Sequence, residues 1–423
     1  LRILEMRKLL ALLAVLVTVF AGNIYGEERN DADSLLFRVS LVTCYPGQIV
    51  YELYGHTAIR IVRGEQQGMI AGDMPYAESR NSYMDKVYNF GMFSFSKPNF
   101  IYRFVKGETD YALAGYPFSY FLPEYVSRNS KVVEQVLDLS QEQARELYER
   151  LEYLCLPEHR EYRYNYVLDN CATRPRDLIE QVTGGLHYPV PADTTLSFRD
   201  IMRSYSKNYP WYQFGIDLAL GSGIDYRLDA RKQMFAPIYL EKAFSKATFT
   251  DASGREHPIV RETNVLFDGS ESPVLPPTPW FLTPIFVSLL ILAVCALLTW
   301  RDIRRGKVTR WFDALWFFIS GLAGCLVFFL VFVSVHEAAS PNYLAFWLNP
   351  FCLIVPITIW IKSFRKWLYL YQLINFAIVL ILLATWWLNP QTANVAFFPL
   401  MLCSLLRSAN YLFIYRKCER RSK

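Results

Sequence analysis

The sequence predicts a mixed α+β domain followed by an all-α bundle of five transmembrane helices. Three observations predict it. Between Glu27 and Arg261, apolar residues recur with both the two-residue period of strands and the longer period of helices. Beyond Pro279 the chain becomes five long apolar stretches separated by short polar ones. The composition is intermediate, at 52% hydrophobic, 16% aromatic and 20% charged residues, with a mean hydropathy of +0.13. Such values exclude an intrinsically disordered chain, and 423 residues suffice for about two or three domains. The net charge of +5 comes mostly from residues beside the apolar stretches, so it is not a nucleic-acid footprint.

Taken in order, residues 1–26 read as a signal peptide. Arg7 and Lys8 form its basic start, Leu9 to Phe20 its apolar centre, and Ala21 to Gly26 a small-residue cleavage region, with Met6 as the natural first residue. Residues 27–261 read as an exported domain. Leu36 to Cys44, Thr57 to Val62 and Val87 to Phe95 alternate as strands, the last interrupted by Gly91. Gln141 to Leu154 places Ala144, Leu147, Leu151 and Leu154 on one helical face. A second helix runs from near Cys171 to Val182 and stops at Gly184 and Gly185. Trp211 to Leu220 is read as core. Residues 262–279 form a proline-rich linker, and residues 280–423 the five-span region.

The spans are Trp280–Trp300, Trp311–Val335, Leu344–Ile361, Leu368–Leu388 and Val395–Tyr415. Arg301, Arg304, Arg305, Lys307 and Arg310 follow the first, Lys362, Arg365 and Lys366 the third, and Arg416, Lys417, Arg420, Arg421 and Lys423 the fifth. The two other connections, His336–Tyr343 and Asn389–Asn394, hold no Lys or Arg. Basic loops stay in the cytoplasm, so the first span runs inward and the C-terminus ends inside. That orientation agrees with an exported N-terminal domain.

Of the eight cysteines, Cys44, Cys155 and Cys171 lie in the exported domain, and an odd number leaves at least one thiol unpaired. Cys44 and Cys155 sit in apolar strand and helix patterns, as core or as a pair. Cys171 differs. It stands in Tyr164-Asn165-Tyr166-Val167-Leu168-Asp169-Asn170-Cys171-Ala172-Thr173-Arg174-Pro175-Arg176-Asp177, where Pro175 suits a first helical turn and Asp169 or Asn170 can cap it. A thiol there meets unpaired backbone N–H groups and the positive end of a helix dipole, with Arg174 and Arg176 nearby, which favours the thiolate. The same arginines also suit surface ion pairs with Asp169 and Asp177.

A nucleophilic thiol needs a base. His159, His187 and His257 fall in polar, loop-like sequence, whereas His56 follows Gly55 and opens a strand in Tyr51-Glu52-Leu53-Tyr54-Gly55-His56-Thr57-Ala58-Ile59-Arg60. A base on a strand facing a thiol at a helix start is what cysteine acyl transfer requires, and a purely structural His56 is the competing reading. Asn89 on the next strand is the expected partner of the second imidazole nitrogen. No Cys or His pair has zinc spacing, and no Gly-rich phosphate loop is present. Neither metal nor cofactor is expected.

These motifs, with Val87-Tyr88-Asn89-Phe90-Gly91 between them, resemble the family defined by the N-terminal periplasmic domain of the lipoprotein N-acyltransferase Lnb. The likeness runs over Leu41–Ile61, Val87–Ala114 and Glu161–Glu180, then through Trp211–Ala236 into the bundle. It implies a circularly permuted papain-like fold, since His56 precedes Cys171, with Cys171 as nucleophile and His56 as base. It also implies a membrane phospholipid as acyl donor, a lipoprotein as acceptor, and a place in the bacterial inner membrane with the catalytic domain in the periplasm. Tyr54, Asn170, Arg174 and Arg176 are expected at the substrate, the arginines on a lipid phosphate. His336 and Asn342 are expected at the acyl entrance. The alternatives are a membrane-tethered amidase or peptidase acting on peptidoglycan with the same dyad, and a non-enzymatic envelope protein whose Cys171 is structural.

Overall fold

A computed structural model describes residues 35–422 apart from 48, 50–51, 66–82, 94–97, 192, 252 and 270–276. The signal peptide expected over residues 1–26 lies outside the described residues. Strands β1 (Leu35–Cys44), β2 (His56–Glu65), β3 (Met84–Met92), β4 (Asp110–Pro117), β5 (Val132–Leu137) and β6 (Glu161–Arg163) begin the domain. A hairpin of β7 (Thr248–Thr250) and β8 (Glu256–Pro258) precedes β9 (Val260–Phe267). Seven strands join in one sheet, ordered β6-β4-β3-β2-β1-β5-β9, with every neighbour antiparallel.

Alternation along the strands separates two cores. Phe37, Val39, Leu41, Ile59, Ile61, Tyr88 and Phe90 face one side. Helices α3 (Gln141–Cys155), α4 (Thr173–Thr183) and α8 (Pro237–Phe244) cover it with Leu147, Leu151, Ile179, Leu240 and Phe244. Val42, Cys44, Ala58 and Val87 face the other, under Phe118, Phe121 and Tyr125 of α2 (Phe118–Ser127). Each fully buried Leu or Phe in these layers contributes about 1.5–3 kcal/mol of burial energy. Helix α3 starts at a capping box, with Ser140 Oγ accepting from Gln143 N at 3.2 Å and Gln143 Oε1 accepting from Ser140 N at 2.9 Å.

The shorter helices are α1 (Phe100–Lys106), α5 (Phe198–Tyr205), α6 (Pro210–Ala219) and α7 (Ala230–Gln233). Helix α6 overlaps the Trp211–Leu220 segment read as core, and the structure bears that reading out in part. Ile216 and Leu220 pack on a cluster of the sheet domain and Phe214 and Leu218 on one of the bundle, whereas Trp211 is 47% exposed and its indole N–H donates to Leu282 O at 2.7 Å. The linker also begins later than expected. Residues 262–267 belong to β9, which pairs with β5 from Val132↔Phe267 to Leu137↔Val260.

Among the described residues, four helices are long and apolar enough to cross a membrane. They fall in α9 (Pro284–Arg305), α10 (Arg310–Phe332), α12 (Arg365–Thr385) and α13 (Phe397–Ser422). The third expected span, Leu344–Ile361, is not a fifth continuous helix. It consists of tight turns over Tyr343–Phe346 and Pro350–Leu353 and a short α11 (Ile354–Thr358). Pro350 and Pro356 remove backbone donors there. Non-helical backbone at this depth needs protein around it, and α10 supplies it. A Cβ on Gly324 would come within 2.4 Å of the Asn349 backbone, so only glycine lets the two chains approach.

A polar seam ties the sheet domain to the bundle. Asn342 Nδ2 donates to Leu218 O at 2.9 Å, Asn394 Nδ2 to Asp217 Oδ2 at 3.0 Å, and Gly221 N to Ala338 O at 2.9 Å. Arg199 is wholly buried beside this seam and bridges Asp217 and Asp225 at 2.9 and 2.7 Å.

Candidate active site

His56 is the first residue of β2, opposite Cys44 in β1. The turn that delivers it needs Gly55, which has φ +73 and whose added Cβ would lie 2.6 Å from Cys44 O. On β3, Asn89 pairs with Ala58 of β2, and the register shifts between Asn89 and Met92, a bulge that lies beside the site. His56 Nε2–H donates to Asn89 Oδ1 at 2.5 Å, and Asn89 Nδ2 donates to Tyr116 OH at 2.9 Å. Tyr116 thus fixes which way the Asn89 amide faces. Its carbonyl end holds one imidazole nitrogen and leaves the other for Cys171.

Cys171 stands two residues before α4. Asn170 sets the loop, its Oδ1 accepting from Ala172 N at 2.8 Å and Thr173 N at 3.0 Å. Its Nδ2 donates to Tyr166 O at 2.9 Å and Phe235 O at 3.0 Å. With 8% exposure, Cys171 lies beside His56, the Thr57 backbone N–H and the Tyr164 hydroxyl, each of which favours its thiolate. Burial alone pushes its thiol up, but His56 and these donors outweigh it and hold the thiol below its ordinary range. Burial likewise pulls His56 down. The facing sulfur, then the bonds to Cys171 and Asn89, leave it above an ordinary histidine. Both shifts favour a thiolate beside an imidazolium.

The pair opens on a cleft of about 390 Å³, within the range of small-molecule sites. Tyr54, Phe93, Phe100, Phe104, Tyr111 and Tyr164 lie in its wall, and among the described residues His56 and Cys171 are its only titratable groups besides tyrosines. Its chemistry is a nucleophile and a base in an apolar, aromatic surround.

Of the residues expected at the substrate, Tyr54 and Asn170 line the cleft. Arg174 and Arg176 do not, and they form the ion pairs with Asp169 and Asp177 that the sequence offered as the alternative to a lipid phosphate. Arg174 chelates Asp169 at 2.6 and 2.7 Å and lies 3.5 Å over the Tyr162 ring. Arg176 bonds Asp177 at 2.8 Å and Arg231 O at 2.7 Å. These bonds occupy both side chains. Asn342 is corrected from acyl entrance to seam, since its Oδ1 also accepts from Leu344 N and Gln391 Nε2 at 3.1 Å. His336 lies near the cleft but outside its lining, its Nε2–H donating to Phe104 O at 2.9 Å. Cys44 and Cys155 are not paired with each other; both are free thiols.

Sequence reasoning missed Tyr164. A signal was there, because Tyr162, Tyr164 and Tyr166 recur every second residue just before Cys171, where β6 gives way to a turn closed by the Asn165–Asp169 bridge. It also missed Tyr116, which only the β3–β4 pairing brings to Asn89. Among the described residues no group of His, Cys, Asp and Glu could hold a metal ion.

Compared with known families, residues 25–204 match the Lnb N-terminal periplasmic domain and residues 277–418 match the Lnb transmembrane domain. Neither the curated proteins nor the solved structures provide a match.

Proposed function

We propose, from the premise that this chain belongs to the Lnb family, that it moves a fatty acyl chain from a membrane phospholipid through Cys171 to the N-terminal amine of a diacylated lipoprotein. The family makes it a membrane protein with a periplasmic N-terminal domain, in lipoprotein processing. The observation that carries the finer reading is the Cys171–His56–Asn89 chain of hydrogen bonds opening on an aromatic cleft. Histidine before cysteine, with an asparagine on the second imidazole nitrogen, fits a circularly permuted papain-like site. The basic loops support a cytoplasmic C-terminus and a bacterial inner-membrane location.

In the first half-reaction the Cys171 thiolate attacks an ester carbonyl of the phospholipid. The tetrahedral intermediate expels the glycerol oxygen, which takes the His56 proton, leaving a thioester and a lysophospholipid. In the second, the lipoprotein amine attacks the thioester, His56 accepts the amine proton, and the thiolate leaves as the amide forms. The start of α4 is the expected source of oxyanion donors, but Asn170 already occupies the Ala172 and Thr173 amides. The Cys171 N–H is the donor that suits the role.

Incubating the intact protein with phospholipid vesicles and a diacylated lipopeptide tests this by mass spectrometry. The expected results are one added acyl chain on the peptide and, without acceptor, an acyl mass on Cys171. Cys171→Ala abolishes both. No acyl transfer by intact protein, or release of peptidoglycan fragments instead, overturns the reading.

A further inference from the structure

Helix α1 has two faces and no buried residue. Phe100 and Phe104, one turn apart, line the cleft that holds Cys171. On its outward side Ile101 is 77% and Tyr102 53% exposed. The nearby cations do not make this face polar, because Arg103 pairs with Asp110 at 2.6 Å and Lys106 with Glu108 at 2.7 Å.

The outward face continues onto a membrane-spanning helix. The Tyr102 ring meets Phe329 of α10 edge-on at 5.9 Å, and Val335 N donates to Lys106 O at 2.9 Å. Beside that contact, Phe328, Phe332 and Val335 expose 45%, 67% and 58% of their surface. Lone apolar residues on a surface are ordinary, but a band continuous with a span is a lipid-facing surface.

From this placement we infer that α1 lies in the outer leaflet and is the single-helix partition across which a phospholipid acyl chain passes from the bilayer to Cys171. This rests on the acyl-transfer reading and adds a route to it. The partition is about 10 Å thick, one helix diameter. Its inner face offers the passing chain Phe100 and Phe104, then the aromatic wall around the thiol. Phospholipid is the occupant the surface selects, because the described residues of the band, Ile101, Tyr102, Phe328, Phe332 and Val335, carry no charge and the band joins α10 at the end nearest the sheet domain.

Two measurements on the full chain, in vesicles of phosphatidylethanolamine and phosphatidylglycerol, test it. A photoreactive benzoylphenylalanine at Ile101 should capture phospholipid at least about tenfold more than one at Val190, an 82% exposed side chain of the sheet domain. Equal capture overturns the inference. Ile101→Glu should slow acylation of Cys171 by vesicle phospholipid about tenfold, because a charge is costly at that depth. It should change acylation by water-soluble p-nitrophenyl acetate less than about twofold, since Ile101 does not line the cleft. Equal loss with both substrates means α1 only shapes the cleft, and that also overturns it. If the unaltered protein acylates with neither substrate, the acyl-transfer reading fails and the capture result still decides where α1 lies.

Discussion

Two of the buried polar clusters in this chain differ in what they face, one at an end of the sheet and one inside the bundle. In the bundle, Arg407 is wholly buried, and its Nε donates to Asp313 at 2.5 Å, its Nη1 to Thr299 at 3.0 Å and its Nη2 to Asp302 at 2.8 Å. Asn410 and the Thr309 backbone add bonds to Asp302 at 3.0 and 2.9 Å. The guanidinium is held on every side by α9, α10 and α13. At the sheet, Cys171, His56 and Asn89 also form a chain of bonds, but the thiol and imidazole border a cleft. Burial is therefore a poor guide to function, and what separates the clusters is whether a reactive atom is left facing a space.

The comparison breaks or holds first at Arg407. Arg407→Ala strands two carboxyl groups in the bundle without a cation, at a cost of about 3–5 kcal/mol. The expected outcome is a much lower yield and a lowered thermal midpoint in micelles. A variant that kept its midpoint and lost acyl transfer would make the bundle cluster a second functional site.

A smaller effect is expected at Asn89, where the fold has less at stake. Asn89→Ala removes the acceptor of the His56 Nε2–H, a bond to a charged group worth about 1.5–3 kcal/mol. Acyl transfer should fall about tenfold or more, while the thermal midpoint falls less than in Arg407→Ala. Asn89→Asp restores an acceptor and adds a negative charge, so the imidazolium holds its proton more tightly. The pH at which His56 deprotonates should rise, visible as an upward shift of the alkaline limb of the rate profile. If neither variant changes rate or profile, Asn89 belongs with Arg407 as architecture.

Much of this contrast was legible in the sequence where the signal is local. The alternation of Leu36 to Cys44, the one-sided apolar spacing of Gln141 to Leu154 and the long apolar stretches are each short-range, and the strands, the helix and four spans follow from them. His56 and Cys171 were legible because a glycine turn and a helix start announce themselves in neighbouring residues. Less legible were features set by residues far apart in the chain. Asp169, five residues away, already offered Arg174 an ion pair in the sequence, but nothing local decided between that carboxylate and a lipid phosphate, and the Tyr162 ring under the guanidinium is visible only in the fold. The broken third span needed its prolines weighed against its hydropathy, and α10 offers Gly324 to a segment 25 residues away at Asn349.

The smallest effect, and the finest test of an open cluster, is at Tyr164. Its hydroxyl is among the groups that hold the Cys171 thiol down, and its ring stacks on Tyr111 at 4.2 Å, so Tyr164→Phe keeps the wall and removes that one polar group. The thiolate loses a donor, so Cys171 holds its proton more tightly and its pKa rises. One hydrogen bond is worth about 0.5–1.5 kcal/mol, which corresponds to a shift of up to about one pH unit. Alkylation of Cys171 by iodoacetamide, followed against pH, should therefore keep its plateau and move its inflection upward. Below the inflection the rate falls about threefold to tenfold, and on the plateau the two proteins react alike. Tyr111→Phe, which alters the neighbouring ring without touching the Tyr164 hydroxyl, should leave the inflection where it is. An unmoved inflection in Tyr164→Phe would reduce that tyrosine to a stacking surface and leave His56 and the Thr57 amide as the groups that hold the thiolate.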